Sequence, residues 1–261
     1  HHYPPALIDF RGIADAHMRG KQSDYFERSR GAPLAQEQYG LHHPLGYPNY
    51  STNEWGFTAC EGPCQTINGV CYAGYRERGA PGGYEDGTIA PTAAGGSLPF
   101  APDVCLRALR HFYDAYMPQL WTGEGFRDAY NIRAKWWAPD AIGIDQGPIV
   151  LMLENYRSGS TWSRMLESPV IQRGLERAGF TAPPPDLLRA RMLGERQVEL
   201  SWRDKADYET GFRVESSTNG VEFGLAAQLG ANVTQVTLPV SPGQLYHFRV
   251  RTTSAAGLSG Y

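Results

Sequence analysis

Carboxylates beside glycine and aromatic residues recur in the connecting segments of roughly the first two thirds of the chain. The segments that share this pattern are IDFRG (8–12), DYFERSR (24–30), NEWGFTACEGP (53–63), EDGTIAPTAAGGSLPFAP (85–102), GFRDAYN (125–131) and GIDQGPIVLMLENYRSG (143–159). Carboxylates supply acid and base chemistry, aromatic faces stack on sugar rings, and Arg, Asn and Gln form hydrogen bonds to hydroxyl groups. Loops that carry such groups over a helical scaffold predict a carbohydrate site.

Asp145 is the best catalytic candidate among these carboxylates. It precedes Gln146, Gly147 and Pro148 at the start of an apolar helical pattern. Free backbone N–H groups at a helix N-terminus stabilise a negative charge, so we expect an ionised Asp145 that acts as a general base. Helix capping alone is the alternative explanation, since Asp is a common N-cap residue.

Further polar candidates each have a structural alternative. Asp9 and Arg11 form either sugar contacts or an ion pair that fixes a turn. Glu61, in a Gly/Pro turn near an aromatic side chain, is either a substrate-binding residue or a solvated loop acid. Asp86 precedes a glycine and is either a site residue or a turn residue.

Two tryptophans are candidates for the stacking platforms that sugar sites use. Trp55 and Trp121 both lie in or beside the carboxylate-bearing segments. A large aromatic side chain in a helical scaffold is equally explained as part of the core.

The cysteines lie at Cys60, Cys64, Cys71 and Cys105. Three disulfide pairings are open, as are free buried thiols, and only a disulfide implies an oxidising compartment. The histidines are not spaced as a zinc site requires. The chain has no Gly-rich phosphate loop, dinucleotide fingerprint or Ser/His/Asp signature, so we expect neither a metal nor a cofactor.

Composition excludes some classes of partner. The 261 residues include 24 Lys plus Arg and 27 Asp plus Glu, so a net charge of -3 argues against nucleic acid. The apolar run at 142–153 is interrupted by Asp145 and is too short for a membrane span. With 41% hydrophobic residues, the chain is expected to be soluble and to form one or two cores.

Up to about Phe180 the sequence pattern is typical of an all-α fold. Helical spacing predicts a helix from Pro102 to about Tyr116, another that starts at Pro148, and a third capped by Ser168 with Pro169 at its first position. A further helical stretch at 24–39 contains Gly31 and Pro33, which are expected to split it into two pieces.

After a Pro-rich linker at 181–186 the hydrophobic period changes to 2. Short alternating stretches around Val198–Trp202, Phe212–Val214, Val236–Val240 and Tyr246–Val250 predict a small β-sandwich. The stretches LSW, PGQLYHFRV and TTSAAGLSG resemble a fibronectin type III domain, with Trp202 in the core and Tyr246 as its tyrosine corner. We expect this domain at 187–261, with its last strand missing, and a spacer or accessory role for it.

The six carboxylate-bearing segments together resemble the glucoamylase-like glycoside hydrolase domain of bacterial β-1,2-glucanases. The resemblance covers about residues 1–180 and implies the C-terminal part of an (α/α)6 toroid, followed by the all-β immunoglobulin-like sandwich. It implies an inverting hydrolase that acts on β-glucan, with β-1,2-linked glucan expected, and with its second catalytic carboxylate upstream. Secretion or a periplasmic location is implied in the same way.

Two other functions stay open. One is a non-catalytic glycan-binding or scaffolding protein that retains the aromatic cleft without a working acid pair. The other is a glucan transglycosylase, because related domains in enzymes that synthesise cyclic glucans handle the same linkage by transfer. A terpenoid-type toroid enzyme would need an Asp-rich metal motif, which the sequence lacks.

Overall fold

A computed structural model describes the chain except His1, Gly69 and Ala73, and except the side chains of residues 65–67 and 70–72. The chain forms two compact units that do not follow chain order. One unit contains His1–Leu7 and Phe26–Trp162, and the other contains Ile8–Tyr25 and Ser163–Tyr261. Helices dominate the first unit and a β-sandwich the second, so the prediction of separate helical and β regions is confirmed. The predicted domain boundaries at 180 and 187 stay predictions.

The helices are, in chain order, α1 (Tyr3–Leu7), α2 (Ala16–Gly20), α3 (Tyr25–His42), α4 (Pro91–Gly95), α5 (Pro102–Tyr116), α6 (Gly143–Arg157), α7 (Ser160–Leu166) and α8 (Pro169–Arg177). Two of the sequence predictions match closely, since α5 and α8 each begin at the predicted proline. The predicted split of the 24–39 stretch is wrong, because α3 continues through Pro33. Helix α6 begins at Gly143 and contains Pro148, which was predicted to start it. A proline inside a helix removes one backbone hydrogen bond, and packing of the surrounding turns can offset that loss.

The core of the first unit is built around α5. Its buried side chains, Val104, Cys105, Ala108 and Phe112, recur at helical spacing and pack in one cluster with Trp55 and other aromatic residues. Burial of a side chain as large as Phe contributes about 1.5–3 kcal/mol. This core fixes the helix against which the loops of the first unit are arranged.

Short strands hold the loops of this unit. They are β1 (Gln65–Ile67), β2 (Val70–Tyr72), β3 (Thr88–Ile89), β4 (Trp121–Thr122), β5 (Gly125–Phe126), β6 (Tyr130–Asn131) and β7 (Trp136–Trp137). Strand β6 pairs antiparallel with β3 and with β7. Just before β6, the Asp128 N–H donates to the Asp140 carbonyl at 3.0 Å. The connection between β5 and β6 is therefore held in place by the Asp128 backbone hydrogen bond and by the pairing of β6 with its two neighbouring strands.

The sandwich consists of two antiparallel sheets. Its strands are β8 (Asp186–Met192), β9 (Gln197–Arg203), β10 (Gly211–Ser217), β11 (Gly224–Gly230), β12 (Gln235–Pro239), β13 (His247–Ser254) and β14 (Gly257–Leu258). The sheet orders are β12-β9-β8 and β11-β10-β13-β14. Side chains of both sheets, including Trp202, Phe212 and Val250, form one buried cluster, as the alternating pattern predicts.

Two details of the sandwich prediction have outcomes. The Tyr246 hydroxyl accepts a hydrogen bond from the Ser241 N–H at 3.2 Å, which is the contact expected of a tyrosine corner. The two-residue strand β14 pairs with the end of β13, and the expectation of a missing last strand stays a prediction. The alternation missed β8 and β11, whose residues are mostly exposed on both faces.

The cysteines divide between two states. Cys64 is disulfide-bonded, whereas Cys60 and Cys105 are buried free thiols. The side chain of Cys71 lies outside the described residues. No helix in the described part of the chain is long and apolar enough to cross a bilayer. Across the same residues, no group of three or more His, Cys, Asp or Glu side chains is arranged to hold a metal ion.

Candidate active site

Asp145 lines a pocket in the first unit. The pocket has a volume of about 250 Å³, at the small end for ligand sites. Residues from α1, α3, α4 and α6 and from neighbouring loops surround it, and several of them carry polar or aromatic side chains. They include Tyr3, Gln36, Thr58, Tyr75, Thr92 and Asp145.

The start of α6 is fixed by close packing on two sides. The Thr92 hydroxyl donates to the Asp145 carbonyl at 3.1 Å, and the Gln146 amide donates to the Phe126 carbonyl at 2.6 Å. Gly125 has a φ of 121°, and a Cβ there would lie 2.3 Å from the Gln146 Oε1. Glycine is required at this position for both reasons, and the contact holds the first turn of α6 against the β4–β5 hairpin.

Asp145 is buried and is not held as the sequence predicted. It lies inside the first turn of α6, after the N-cap Ile142, and only 3% of it is exposed. Its Oδ2 receives no hydrogen bond from a donor among the described residues. Burial, a hydrogen bond to Asp128 and the charges of Asp128 and Glu61 raise the pKa of Asp145 to about 9. The prediction of an ionised general base is therefore wrong for this structure, since burial beside two acids outweighs the helix N-terminus.

Asp128 is the functional residue that the sequence analysis missed. It is fully buried, and its Oδ2 accepts a hydrogen bond from the Glu61 N–H at 2.6 Å. Its Oδ1 is also buried and meets no donor within the described part of the chain. The segment GFRDAYN was recognised as carboxylate-bearing, but nothing in its sequence shows that Asp128 contacts Asp145.

Glu61 is brought to Asp145, as a site prediction requires. Its backbone holds Asp128, and its side chain acts electrostatically on Asp145. Burial, followed by the charges of Asp128 and Asp140, raises the pKa of the Glu61 carboxyl. Three acids from separate segments therefore meet at this site.

Asp86 has the structural role that was its alternative. It forms a two-point ion pair with the buried Arg78, at 3.2 and 3.1 Å, and accepts the Thr88 N–H at 3.1 Å. Burial alone would raise the pKa of Asp86, but these hydrogen bonds lower it. Arg78 in turn donates to the Cys60 carbonyl at 2.5 Å, and a Cβ on Gly62 would lie 1.7 Å from its guanidinium. This ion pair shapes the loop that carries Glu61.

Asp9 and Arg11 belong to the second unit. The Arg11 guanidinium donates to both Asp9 oxygens, at 2.8 and 2.6 Å, and the Arg11 N–H adds a third bond at 3.1 Å. This is the ion pair that the sequence analysis gave as one of two alternatives. A role for these residues in sugar binding stays a prediction.

The two tryptophan predictions have different outcomes. Trp55 has no exposed surface and lies in the core around α5, so its prediction as a stacking platform is wrong. Trp121 is 38% exposed and packs edge-on against Tyr113 and Phe126. Its role as a platform stays a prediction. Tyr3 and Tyr75, 48% and 50% exposed, are the aromatic side chains at the Asp145 pocket.

Known proteins with similar sequence and structure define a class of carbohydrate-active enzymes. The Glycoamylase family model, described as "Putative glucoamylase", matches residues 1–169. An exo β-1,2-glucooligosaccharide sophorohydrolase (non-reducing end) of Parabacteroides distasonis is 31% identical over 169 residues, which are 64% of this chain and 22% of that protein.

Solved structures agree with this match. An endo-β-1,2-glucanase of Chitinophaga pinensis, in complex with sophorotriose and glucose, is 31% identical with a TM-score of 0.58. The match covers 70% of this chain and 40% of that one. A β-1,2-glucanase of Parabacteroides distasonis is 29% identical with a TM-score of 0.59, over 68% and 23% of the two chains.

The chain belongs to the Glycoamylase family, and the resemblance found in its sequence is confirmed for residues 1–169. It spans 22% of the length of the curated relative and 40% or less of the solved structures described above.

Proposed function

We propose that the protein is a glycoside hydrolase that cleaves β-1,2-linked glucan, with Asp145 as its proton donor. The observation that carries this proposal is a buried carboxyl that lines a pocket and whose pKa is raised by burial and by two neighbouring acids. The family and the β-1,2-glucan hydrolases that match the chain supply the substrate class.

A neutral carboxyl suits the acid step of glycoside hydrolysis. Cleavage requires a proton on the leaving glycosidic oxygen, and a carboxyl with a raised pKa still carries that proton at neutral pH. Asp145 would give its proton to the leaving oxygen, and the sugar C1–O bond would break as water attacks from the opposite face.

Asp128 is too close to Asp145 to be the second catalytic carboxylate. The two side chains are hydrogen-bonded to each other, whereas an inverting pair stands roughly 6.5–9.5 Å apart to admit the water. We propose that the base is a carboxylate outside these 261 residues, in the rest of an (α/α)6 toroid. The share of each relative that the chain spans supports this assignment.

Tyr3 and Tyr75 are the proposed sugar platforms. Both are about half exposed and line the Asp145 pocket, whereas Trp55 is inaccessible. Stacking of a sugar ring on an aromatic face contributes to substrate binding more than to the chemical step. We therefore expect Tyr75→Ala to raise KM for β-1,2-glucan several-fold with kcat little changed, as measured by release of reducing ends.

The central experiment uses the full-length protein and two substrates. Asp145→Asn should lower the hydrolysis of β-1,2-glucan by about 10²–10⁴-fold. An aryl β-sophoroside with a nitrophenolate leaving group needs no acid, so the variant should retain most of its activity on that substrate. Asp114→Asn, which removes a surface carboxylate of α5, is the matched control.

Other outcomes identify the alternatives. Recovery of the Asp145→Asn variant by azide, with no preference for the aryl substrate, would assign Asp145 as the base. Binding of β-1,2-glucan without new reducing ends in the wild type would favour a glycan-binding protein, and products longer than the substrate would favour a transglycosylase.

We also propose a secreted or periplasmic location. The disulfide at Cys64 supports it, because such bonds persist mainly in oxidising compartments. Fractionation of cells that express the complete gene tests this location directly.

A further inference from the structure

Asp128 and Asp145 form a buried carboxyl pair with too few donors for two negative charges. Asp128 is fully buried and Asp145 is 3% exposed. Each has an oxygen that no donor in the described part of the chain contacts, and Asp128 acts directly on Asp145 to raise its pKa. A carboxylate can only accept hydrogen bonds, so two buried carboxylates without enough donors favour a single proton shared between them.

The backbone determines which member keeps the proton. Asp128 accepts the Glu61 N–H at 2.6 Å, and this bond stabilises a negative charge on Asp128. No such donor reaches Asp145 Oδ2 among the described residues. The asymmetry favours the proton on Asp145.

Among the described residues, no cationic side chain lines the pocket beside this pair. The lining residues of the pocket include no Lys or Arg. The other titratable side chains near Asp145 are acids or groups that are uncharged at neutral pH. They are Asp128, Glu61, Tyr3, Tyr75 and His2. Burial lowers the pKa of His2, which favours its neutral form.

We propose that Asp128 is a positioning residue that shares a single proton with Asp145 and leaves that proton on Asp145, facing the pocket. The Glu61 N–H donates to Asp128, so the loop after Cys60 takes part in setting the protonation of Asp145. The inference deepens the proposed function and rests on it only for the use of the proton in catalysis.

The test observes the proton itself in the full-length protein. Infrared difference spectra of protein labelled with ¹³C-aspartate detect a protonated Asp carboxyl and follow its loss as the pH is raised. In the wild type we expect one protonated Asp carboxyl at neutral pH, absent from Asp145→Asn. Asp128→Asn keeps the shape and the Glu61 contact but offers an N–H to Asp145, so the proton should be lost more than about one pH unit lower.

The exposed Asp140 supplies the matched control. Its side chain acts on Glu61, so Asp140→Asn removes a nearby charge and should leave the infrared midpoint of Asp145 unchanged. An unchanged midpoint in Asp128→Asn would overturn the proposal, as would a wild type without a protonated Asp carboxyl at neutral pH. If Asp128→Asn does not fold, the comparison of wild type with Asp145→Asn decides.

Enzymatic activity plays no part in that readout, so the two proposals can fail separately. If the infrared proton is present but β-1,2-glucan is not cleaved, the proposed function is wrong and the pairing of Asp128 with Asp145 stands. If the protein is active, the alkaline limb of its kcat/KM profile should move to lower pH in Asp128→Asn, a shift that a purely structural role would not produce.

Discussion

Each of the two units contains a buried carboxyl, and the two have opposite electrostatics. Asp145 of the helical unit is 3% exposed and has a pKa raised to about 9. Glu215 of the sandwich is 5% exposed, yet its pKa is lowered to about 2. Similar burial therefore leaves one acid neutral and the other ionised.

The partners explain the difference. Burial would raise the pKa of Glu215, but hydrogen bonds from Tyr261, Arg213 and Arg249, at 2.7–2.8 Å, reverse that effect. The charged groups that raise the pKa of Asp145, within the described part of the chain, are the acids Asp128 and Glu61. A carboxyl whose charge is compensated by donors stabilises a fold, whereas an uncompensated one is a candidate for chemistry.

Asp86 tests whether hydrogen-bond partners, and not the unit in which an acid lies, explain this difference. It lies in the helical unit but is paired with a cation, as Glu215 is. Arg78→Met would leave the Asp86 charge buried without its ion pair. We expect the free energy of unfolding, measured with urea, to fall by about 3–5 kcal/mol. Arg110→Met, which removes a fully exposed pair with Asp114, should change it far less. Equal effects of the two variants would mean that compensation by a buried partner does not matter.

Glu215→Gln tests the sandwich side of the comparison. The loss of charge-assisted hydrogen bonds should lower the free energy of unfolding by about 2 kcal/mol at neutral pH. Because the folded pKa is depressed, the stability from Glu215 is present above about pH 4.5 and is lost as the pH falls towards 2. The difference from wild type should shrink over that window in urea titrations. Glu199→Gln, at an exposed pair with Arg191, is the control and should show little of this dependence.

The sequence predicted the sandwich better than the site. The strands of the sandwich depend on residues close together in the chain, whereas the site depends on contacts between distant segments. Strands β9 and β10 follow from alternation within a few residues, and α5 and α8 follow from prolines at their first turns. Such patterns depend on neighbours along the chain. Strand β8 was missed because nearly all of it is exposed, so it has no alternation to detect.

The protonation of Asp145 depends on contacts that no local pattern contains. The Glu61 N–H that holds Asp128 lies 67 residues before it in the chain. Sequence alone placed Asp145 near a helix N-terminus, where an ionised carboxylate is favoured, and missed the buried acid opposite it. The prediction of Trp55 as a stacking platform was wrong for a related reason, because only the packing around α5 shows that Trp55 is in the core.

Asp145→Asn is expected to change stability with a sign opposite to that of the other two variants. Between the pKa of an unfolded Asp near 4 and the folded value of about 9, the unfolded chain releases a proton that the folded protein keeps. The free energy of unfolding of the wild type therefore falls as the pH rises through this window, and Asn lacks that penalty. At about 1.4 kcal/mol per pH unit, we expect the variant to be more stable by up to about 4 kcal/mol at neutral pH, with no gain near pH 4. Urea titrations across this range measure the gain, and Asp114→Asn should show none. A variant less stable than wild type at neutral pH would mean that Asp145 is compensated after all, and the contrast with Glu215 would disappear.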